Sequence, residues 1–145
     1  MMLSDNISLR EMTKSATARA GAIDNTPPIE AIDNLRALSQ AVLQPIRNHY
    51  CAPLRITSGY RCLRLNRAVG GAKASQHVCG EAADISLDGL ALEDLMAWIV
   101  NDSKLPFDQV ILEPNWIHIA FTTRHDPRYE ALLKVSGGYK WYGAA

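Results

Sequence analysis

Apolar residues recur at helical spacing in the first third of the chain. The stripe over residues 32–46 predicts a long helix that ends near Tyr50, because its apolar positions recur every three or four residues. Thr26 is the predicted N-cap of this helix, and Pro45 is the predicted position of a kink. A shorter helix is predicted over residues 8–21, where a Ser-x-x-Glu capping box opens the segment and a glycine ends it.

Short runs of alternating apolar and polar residues follow, and this pattern is typical of strands. The polar, glycine-punctuated segment 60–80 predicts a loop with a short helix, and residues 92–100 return to helical spacing. The order of the predicted elements is helices first and then strands with one helix between them. This order predicts an α+β domain with helices packed on a small, mainly antiparallel sheet. The predicted strands cover residues 54–58, 82–87, 108–113 and 116–121, with a short final strand in 137–142.

Composition excludes several classes of protein. Hydrophobic residues make up 48% and charged residues 21% of the 145 residues, as is usual for one globular domain. Fifteen basic and fifteen acidic side chains cancel, so no basic surface for nucleic acid is predicted. No apolar run approaches the roughly 20 residues that cross a bilayer. The N-terminus also lacks the basic and apolar regions of a secretory signal.

The cysteines are Cys51, Cys62 and Cys79. Their odd number and the lack of a Cys-x-x-Cys spacing predict reduced thiols, with a Cys62–Cys79 bridge as the alternative.

Two histidines and one aspartate form the strongest chemical signal. Asp84 and His118 each lie on the less apolar face of a predicted strand. If the two strands are neighbours, these side chains come within about 5 Å of each other. His77 precedes the first strand, and Gly80 permits the turn between them. Two imidazoles and a carboxylate with one open position suit catalytic zinc, and they also suit iron(II) in an oxygenase.

Several motifs resemble those of a known family. They are Ser-Gly-Tyr-Arg at residues 58–61, Ser-x-His-x-x-Gly-x-Ala-x-Asp at 75–84 and Trp-x-His at 116–118. This pattern resembles the zinc murein peptidases, the superfamily of D-Ala-D-Ala carboxypeptidases and L-Ala-D-Glu endopeptidases. That superfamily includes phage endolysins and shares its zinc site with hedgehog domains. The likeness extends over about residues 58–121.

The resemblance implies roles for individual residues. It makes His77, Asp84 and His118 the zinc ligands, and it makes Arg61 a group that binds the substrate or its developing oxyanion. A structural ion pair is the alternative role for Arg61. The expected substrate-binding residues are Arg61, Ser75 and Trp116.

The catalytic base departs from the family pattern. Many members carry a carboxylate three residues before the second histidine, but that position here is Asn115, which cannot take a proton. Glu113 is the nearest carboxylate, and we predict that it is the base, with a solvated carboxylate of the hairpin as the alternative. Strand alternation puts Glu113 on the face of Gln109 and Ile111, so the hairpin must turn that face towards the metal.

Together these features predict a metallopeptidase that uses Zn²⁺ to hydrolyse peptide bonds in the peptidoglycan stem peptide. The alternative, left open by Asn115, is an inactive zinc-containing module that binds peptide or cell wall. We expect a monomer without nucleic-acid partner or membrane insertion, cytoplasmic as made, for which lysis gives access to the periplasm or cell wall. One domain over 1–145 is predicted, with a helical part over about 1–52 and a catalytic sheet part over about 53–145.

Overall fold

The computed structural model describes residues 1–143, in which helices pack on a six-stranded sheet. This is the α+β arrangement predicted from the order of the elements. Among these residues there is no helix with the length and hydrophobicity needed to span a bilayer. The helices are α1 (Leu9–Thr13), α2 (Ala16–Ala20), α3 (Ile29–Leu38), α4 (Gln44–Tyr50), α5 (Leu63–Ala68) and α6 (Leu92–Asn101), with a π-helical turn at Ser39–Leu43 and a 3₁₀ turn at Gln76–Cys79.

The sheet has the strand order β1-β2-β4-β3-β5-β6. All neighbours pair antiparallel except β3 and β5, which are parallel. The mainly antiparallel sheet is therefore confirmed. The strands are β1 (Arg55–Ser58), β2 (Ala82–Ser86), β3 (Gln109–Leu112), β4 (Ile117–Ala120), β5 (Glu130–Val135) and β6 (Gly138–Trp141).

The predicted long helix consists of α3, the π turn and α4 in direct succession. The π turn ends just before Pro45, which lies in the first turn of α4. Because proline lacks an N–H and its ring crowds the carbonyl one turn back, a widened turn here accommodates it. The predicted N-cap is wrong. Pro28 occupies that position without a side-chain bond, and Thr26 Oγ1 donates instead to Asp24 Oδ1 at 2.6 Å.

The first predicted helix is divided into α1 and α2. Its capping box is confirmed, because Ser8 Oγ accepts from the backbone of Glu11 and the Glu11 carboxylate accepts from the backbone of Ser8. The division falls at Ser15, whose hydroxyl accepts a hydrogen bond from Ala18 N at 3.1 Å and so begins a second helix. Serine favours such caps over helix interiors, which explains the break.

The core lies between the long helix, α6 and one face of the sheet. Ala83 and Ile85 on β2 and Ile117 and Ile119 on β4 are all buried in it, as the alternation predicted. Strand β5 was not predicted, because its residues are nearly all half-buried and show no alternating pattern. The cysteines are all free thiols. Cys62 caps α5 by accepting from Leu65 N at 3.4 Å.

Gly80 ends the 3₁₀ turn in the left-handed region, with φ of +75°, and a Cβ there would lie 2.6 Å from Ala31 O on α3. Replacing Gly80 with alanine is expected to cost about 1–2 kcal/mol of unfolding free energy for the dihedral angle and about 1–3 kcal/mol more for the backbone contact. Urea unfolding measures both against Gly89→Ala, because Gly89 has a φ of +79° and open space around it. Equal losses in the two variants would contradict the steric part of this expectation.

Candidate metal centre

Three side chains from two strands and one turn meet at one point. Asp84 on β2 and His118 on β4 stand directly opposite each other in the sheet register, so the condition that the two strands are neighbours is met. His77 comes from the 3₁₀ turn that precedes β2. Asp84 Oδ1 lies 3.2 Å from His77 Nε2 and 3.1 Å from His118 Nδ1. One potential ligand atom of each residue lies within 4.8 Å of the others, which is close enough for one ion.

The backbone around His77 is held on both sides. Ser75 Oγ accepts from His77 N at 3.2 Å and caps the turn, while Gly80 closes it. Arg61 N donates to His77 O at 3.1 Å and ties the turn to the segment after β1. His77 is 3% exposed, so its ring is positioned by local turn chemistry and by packing.

The ring nitrogens of His77 have distinct roles. Nδ1 lies 2.7 Å from Gly59 O, and since a carbonyl only accepts, Nδ1 carries the proton. Burial holds the pKa of His77 below its ordinary value, despite the opposing effect of Asp84, so the ring is neutral. A neutral ring with Nδ1 protonated directs the lone pair of Nε2 towards Asp84.

Asp84 supplies the negative charge of the cluster. Burial raises the pKa of its carboxyl, but contacts with His118 and His77 outweigh burial and hold that pKa well below the usual range. Asp84 Oδ1 and His77 Nε2 lie 3.2 Å apart, so a bound cation would contact both atoms at once. Two imidazole nitrogens and one carboxylate are also a donor set that zinc accepts. The residues present therefore fit a zinc ion.

A cavity of about 450 Å³ opens beside the three side chains. Its walls combine charged, amide, hydroxyl and aromatic groups, and all the site residues predicted from the sequence line it. The predicted residues on its walls are Arg61, Ser75, His77, Asp84, Glu113, Trp116 and His118.

Glu113 faces this cavity because of the sheet register. Ile111 pairs with His118, so the face of β3 that carries Gln109 and Ile111 is the face of the metal site. Glu113 continues that face past the end of the strand and lines the cavity. Asn115, at the position where many relatives carry a carboxylate, is exposed in the turn between β3 and β4.

Tyr139 on β6 supports Glu113 from the side. Its hydroxyl donates to Glu113 Oε1 at 3.3 Å, and its ring lines the cavity. Burial and then the Glu113 carboxylate raise the pKa of Tyr139, so the hydroxyl stays protonated as a donor. The sequence interpretation missed Tyr139, since only the pairing of β6 with β5 and of β5 with β3 brings it here.

Arg61 lies half-buried in the cavity wall and keeps free donors. Its Nη2 donates to Ser75 Oγ at 3.3 Å. Within residues 1–143 it forms no salt bridge, and its buried Nε has no hydrogen-bond partner, so the ion-pair alternative finds no support. Burial lowers the pKa of Arg61, and Asp84 partly offsets this effect, yet the guanidinium remains charged because arginine is not deprotonated in proteins.

Two polar residues linked to His118 by hydrogen bonds were also missed, and one of them, Gln76, lines the cavity. Gln76 Oε1 lies 3.0 Å from His118 Nε2, and Gln76 Nε2 lies 3.4 Å from Asp108 Oδ2. Gln76 directly precedes His77 in the sequence, which was a local signal for its proximity, whereas Asp108 has no such signal.

The fold and the site define a class: a small α+β domain in which three residues that could hold a metal ion open onto a cavity, as in hydrolytic metalloenzymes. The chain belongs to the Peptidase M15 family, whose pattern it matches over residues 5–120. This places it in the superfamily of zinc D-Ala-D-Ala carboxypeptidases. The match runs from before α1 to the end of β4 and includes the three metal-site residues and Glu113. No curated protein sequence matches the chain significantly.

Proposed function

We propose that the protein is a zinc peptidase that cleaves the stem peptide of peptidoglycan, either as a D-Ala-D-Ala carboxypeptidase or as an L-Ala-D-Glu type endopeptidase. In this proposal His77 Nε2, the Asp84 carboxylate and His118 Nδ1 hold the ion. The observation that carries the proposal is the meeting of these atoms within 4.8 Å on the wall of a cavity that also contains a carboxylate. Family membership favours zinc over the iron(II) alternative.

Zinc, when bound, polarises a carbonyl and lowers the pKa of water. Glu113 is the base that takes a proton from the attacking water and passes it to the leaving amine. Its position supports this role, because it faces the cavity that the three metal-site residues line. The Tyr139 hydroxyl orients the carboxylate through its hydrogen bond and leaves the second oxygen of Glu113 available.

Arg61 binds the negative charge of the substrate. The buried Nε without a partner among residues 1–143 and the cavity-lining guanidinium provide donors for an oxyanion or for a terminal carboxylate. One oriented donor to a developing oxyanion is worth about 3–4 kcal/mol of transition-state stabilisation. Ser75 holds Arg61 through Nη2, and the half-buried ring of Trp116 offers an apolar wall for the peptide.

A digest of purified peptidoglycan, analysed by mass, tests the proposal. The zinc-loaded protein is expected to release new amino groups from stem peptides, a chelator should stop the release, and added zinc should restore it. Loss of terminal D-Ala would indicate the carboxypeptidase, and a cut between L-Ala and D-Glu the endopeptidase. About one zinc per chain is expected by elemental analysis.

Two results would contradict the proposal in different ways. A protein that binds one zinc ion per chain but releases nothing from any murein or D-Ala-D-Ala substrate would be a binding module. A folded protein that binds no zinc would have neither function.

A further inference from the structure

A series of hydrogen bonds runs from His118 to an ion pair whose carboxylate is buried. His118 Nε2 meets Gln76 Oε1 at 3.0 Å, and Gln76 Nε2 meets Asp108 Oδ2 at 3.4 Å. Asp108 is 2% exposed and is bound by Arg128, which donates to Oδ1 from Nε at 3.0 Å and to Oδ2 from Nη2 at 2.9 Å. None of Gln76, Asp108 and Arg128 is among the proposed ligands.

The ion pair fixes which end of the Gln76 amide faces His118. Burial raises the pKa of Asp108, but hydrogen bonds from Arg128 outweigh burial and hold the pKa below its ordinary value, so the group is a carboxylate. A carboxylate only accepts hydrogen bonds. The amide NH₂ of Gln76 must therefore face Asp108, and its oxygen must face His118. An amide that was free to turn could present either end to the imidazole.

The amide oxygen in turn selects one nitrogen of His118. Because Gln76 Oε1 only accepts, the partner nitrogen Nε2 must donate and carries the proton. A ring that binds an ion carries only one proton, so with that proton on Nε2 the lone pair is on Nδ1, the atom that lies 3.1 Å from Asp84 Oδ1.

We propose that Gln76 and Asp108 are positioning residues that determine which nitrogen of His118 binds the metal ion. The proposal rests on the zinc site proposed above. Asp108 orients the amide of Gln76, the amide holds the proton on Nε2, and Nδ1 is presented to the ion. Without the acceptor Gln76 Oε1, both tautomers and both ring orientations of His118 become available. Zinc binding then has to select one of them, which makes its free energy less favourable.

Zinc affinity, measured by competition with a chelator, tests this role in two variants. Gln76→Met keeps the length of the side chain and removes both polar ends, so zinc affinity is expected to fall about 10–100-fold, as for other partners of ligating histidines. Asp108→Asn leaves a group that can donate as well as accept, so the amide of Gln76 is no longer forced and a smaller loss is expected. This second variant tests the same series of hydrogen bonds if Gln76→Met does not fold.

Glu81→Gln is the matched control. Glu81 is also 2% exposed and also bound by an arginine of the segment after β4, since Arg124 Nη2 donates to Oε1 at 2.8 Å. Its carboxylate has no hydrogen bond to either imidazole among residues 1–143. Loss of this ion pair, whose carboxylate is buried, should lower stability and leave zinc affinity unchanged. An equal fall of affinity in the control and in Gln76→Met would mean that both act only through stability and would overturn the proposal.

Nuclear magnetic resonance of the zinc-loaded protein, with ¹⁵N-labelled histidine, gives a readout that does not depend on activity. The expected spectrum has His118 protonated at Nε2 and coordinated through Nδ1 in the unsubstituted protein. Zinc bound through Nε2 of His118, or unchanged affinity in Gln76→Met, would overturn the positioning role while the zinc site stands. No zinc binding by the unsubstituted protein would instead overturn the proposed function, and this inference with it.

Discussion

Glu113→Gln is expected to slow hydrolysis of peptidoglycan peptides by about 10²–10⁴-fold, which is the usual contribution of a positioned general base. Glutamine has nearly the same shape and keeps an oxygen that can accept from the Tyr139 hydroxyl. It cannot take a proton from water. Because Glu113 is not one of the three clustered ligand residues, zinc affinity should not change.

The measurement is kcat/KM on a defined stem peptide, together with zinc content. Glu93→Gln is the control, because Glu93 is an exposed glutamate on α6 and has no part in the site. A rate within a fewfold of the unsubstituted protein would remove Glu113 from the mechanism. An equal loss of zinc would instead show that Glu113 acts on the metal site and not as a base.

Asp84→Ala is expected to weaken zinc binding much more than Glu113→Gln does. The substitution removes the only negatively charged residue among the three proposed ligands. Zinc affinity should therefore fall by more than the factor of about 10–100 that is typical when a residue bonded to a ligand is lost. Hydrolysis should fall to background. The free energy of unfolding should fall less in the metal-free protein than in the zinc-bound protein. The reason is that the substitution also removes a buried charge, and uncompensated buried charges are costly.

Unfolding with and without zinc separates these two effects. Saturating zinc is expected to stabilise the unsubstituted protein, by about 4 kcal/mol when free zinc is a thousand times the dissociation constant. Asp84→Ala should lose this increment, whereas Asp5→Ala, at an exposed aspartate, should keep it. A zinc-dependent increment that survives in Asp84→Ala would contradict the assignment of Asp84 as a ligand.

The candidate metal site could be predicted from the sequence because its residues follow local rules. Alternation alone separates Asp84 and His118 from the core faces of their strands, and the turn before β2 is marked by Ser75 and Gly80. The pairing of β2 with β4 then brings the two side chains opposite each other. Glu113 was predicted to require a favourable hairpin geometry, and the register of β3 on β4 satisfies that requirement.

The support around the site could not be predicted in the same way, since it depends on contacts between distant parts of the chain. Tyr139 reaches the cavity through β5, a strand whose half-buried residues give no periodic signal. Gln76 and Asp108 are separated by 32 positions, and only the direction of their hydrogen bonds reveals a common role. The π turn before Pro45 is likewise invisible in the apolar stripe, which continues through it.

The β5–β6 hairpin follows the residues that match the family and joins the rest of the sheet through one strand, β3. The register that pairs Asp84 with His118 lies between β2 and β4, which the hairpin does not pair with among residues 1–143. Yet through Tyr139 this hairpin contributes one wall of the cavity. If the proposed function holds, family members that differ in this hairpin are therefore expected to differ in which substrates the cavity accepts, while the residues proposed to hold zinc are shared.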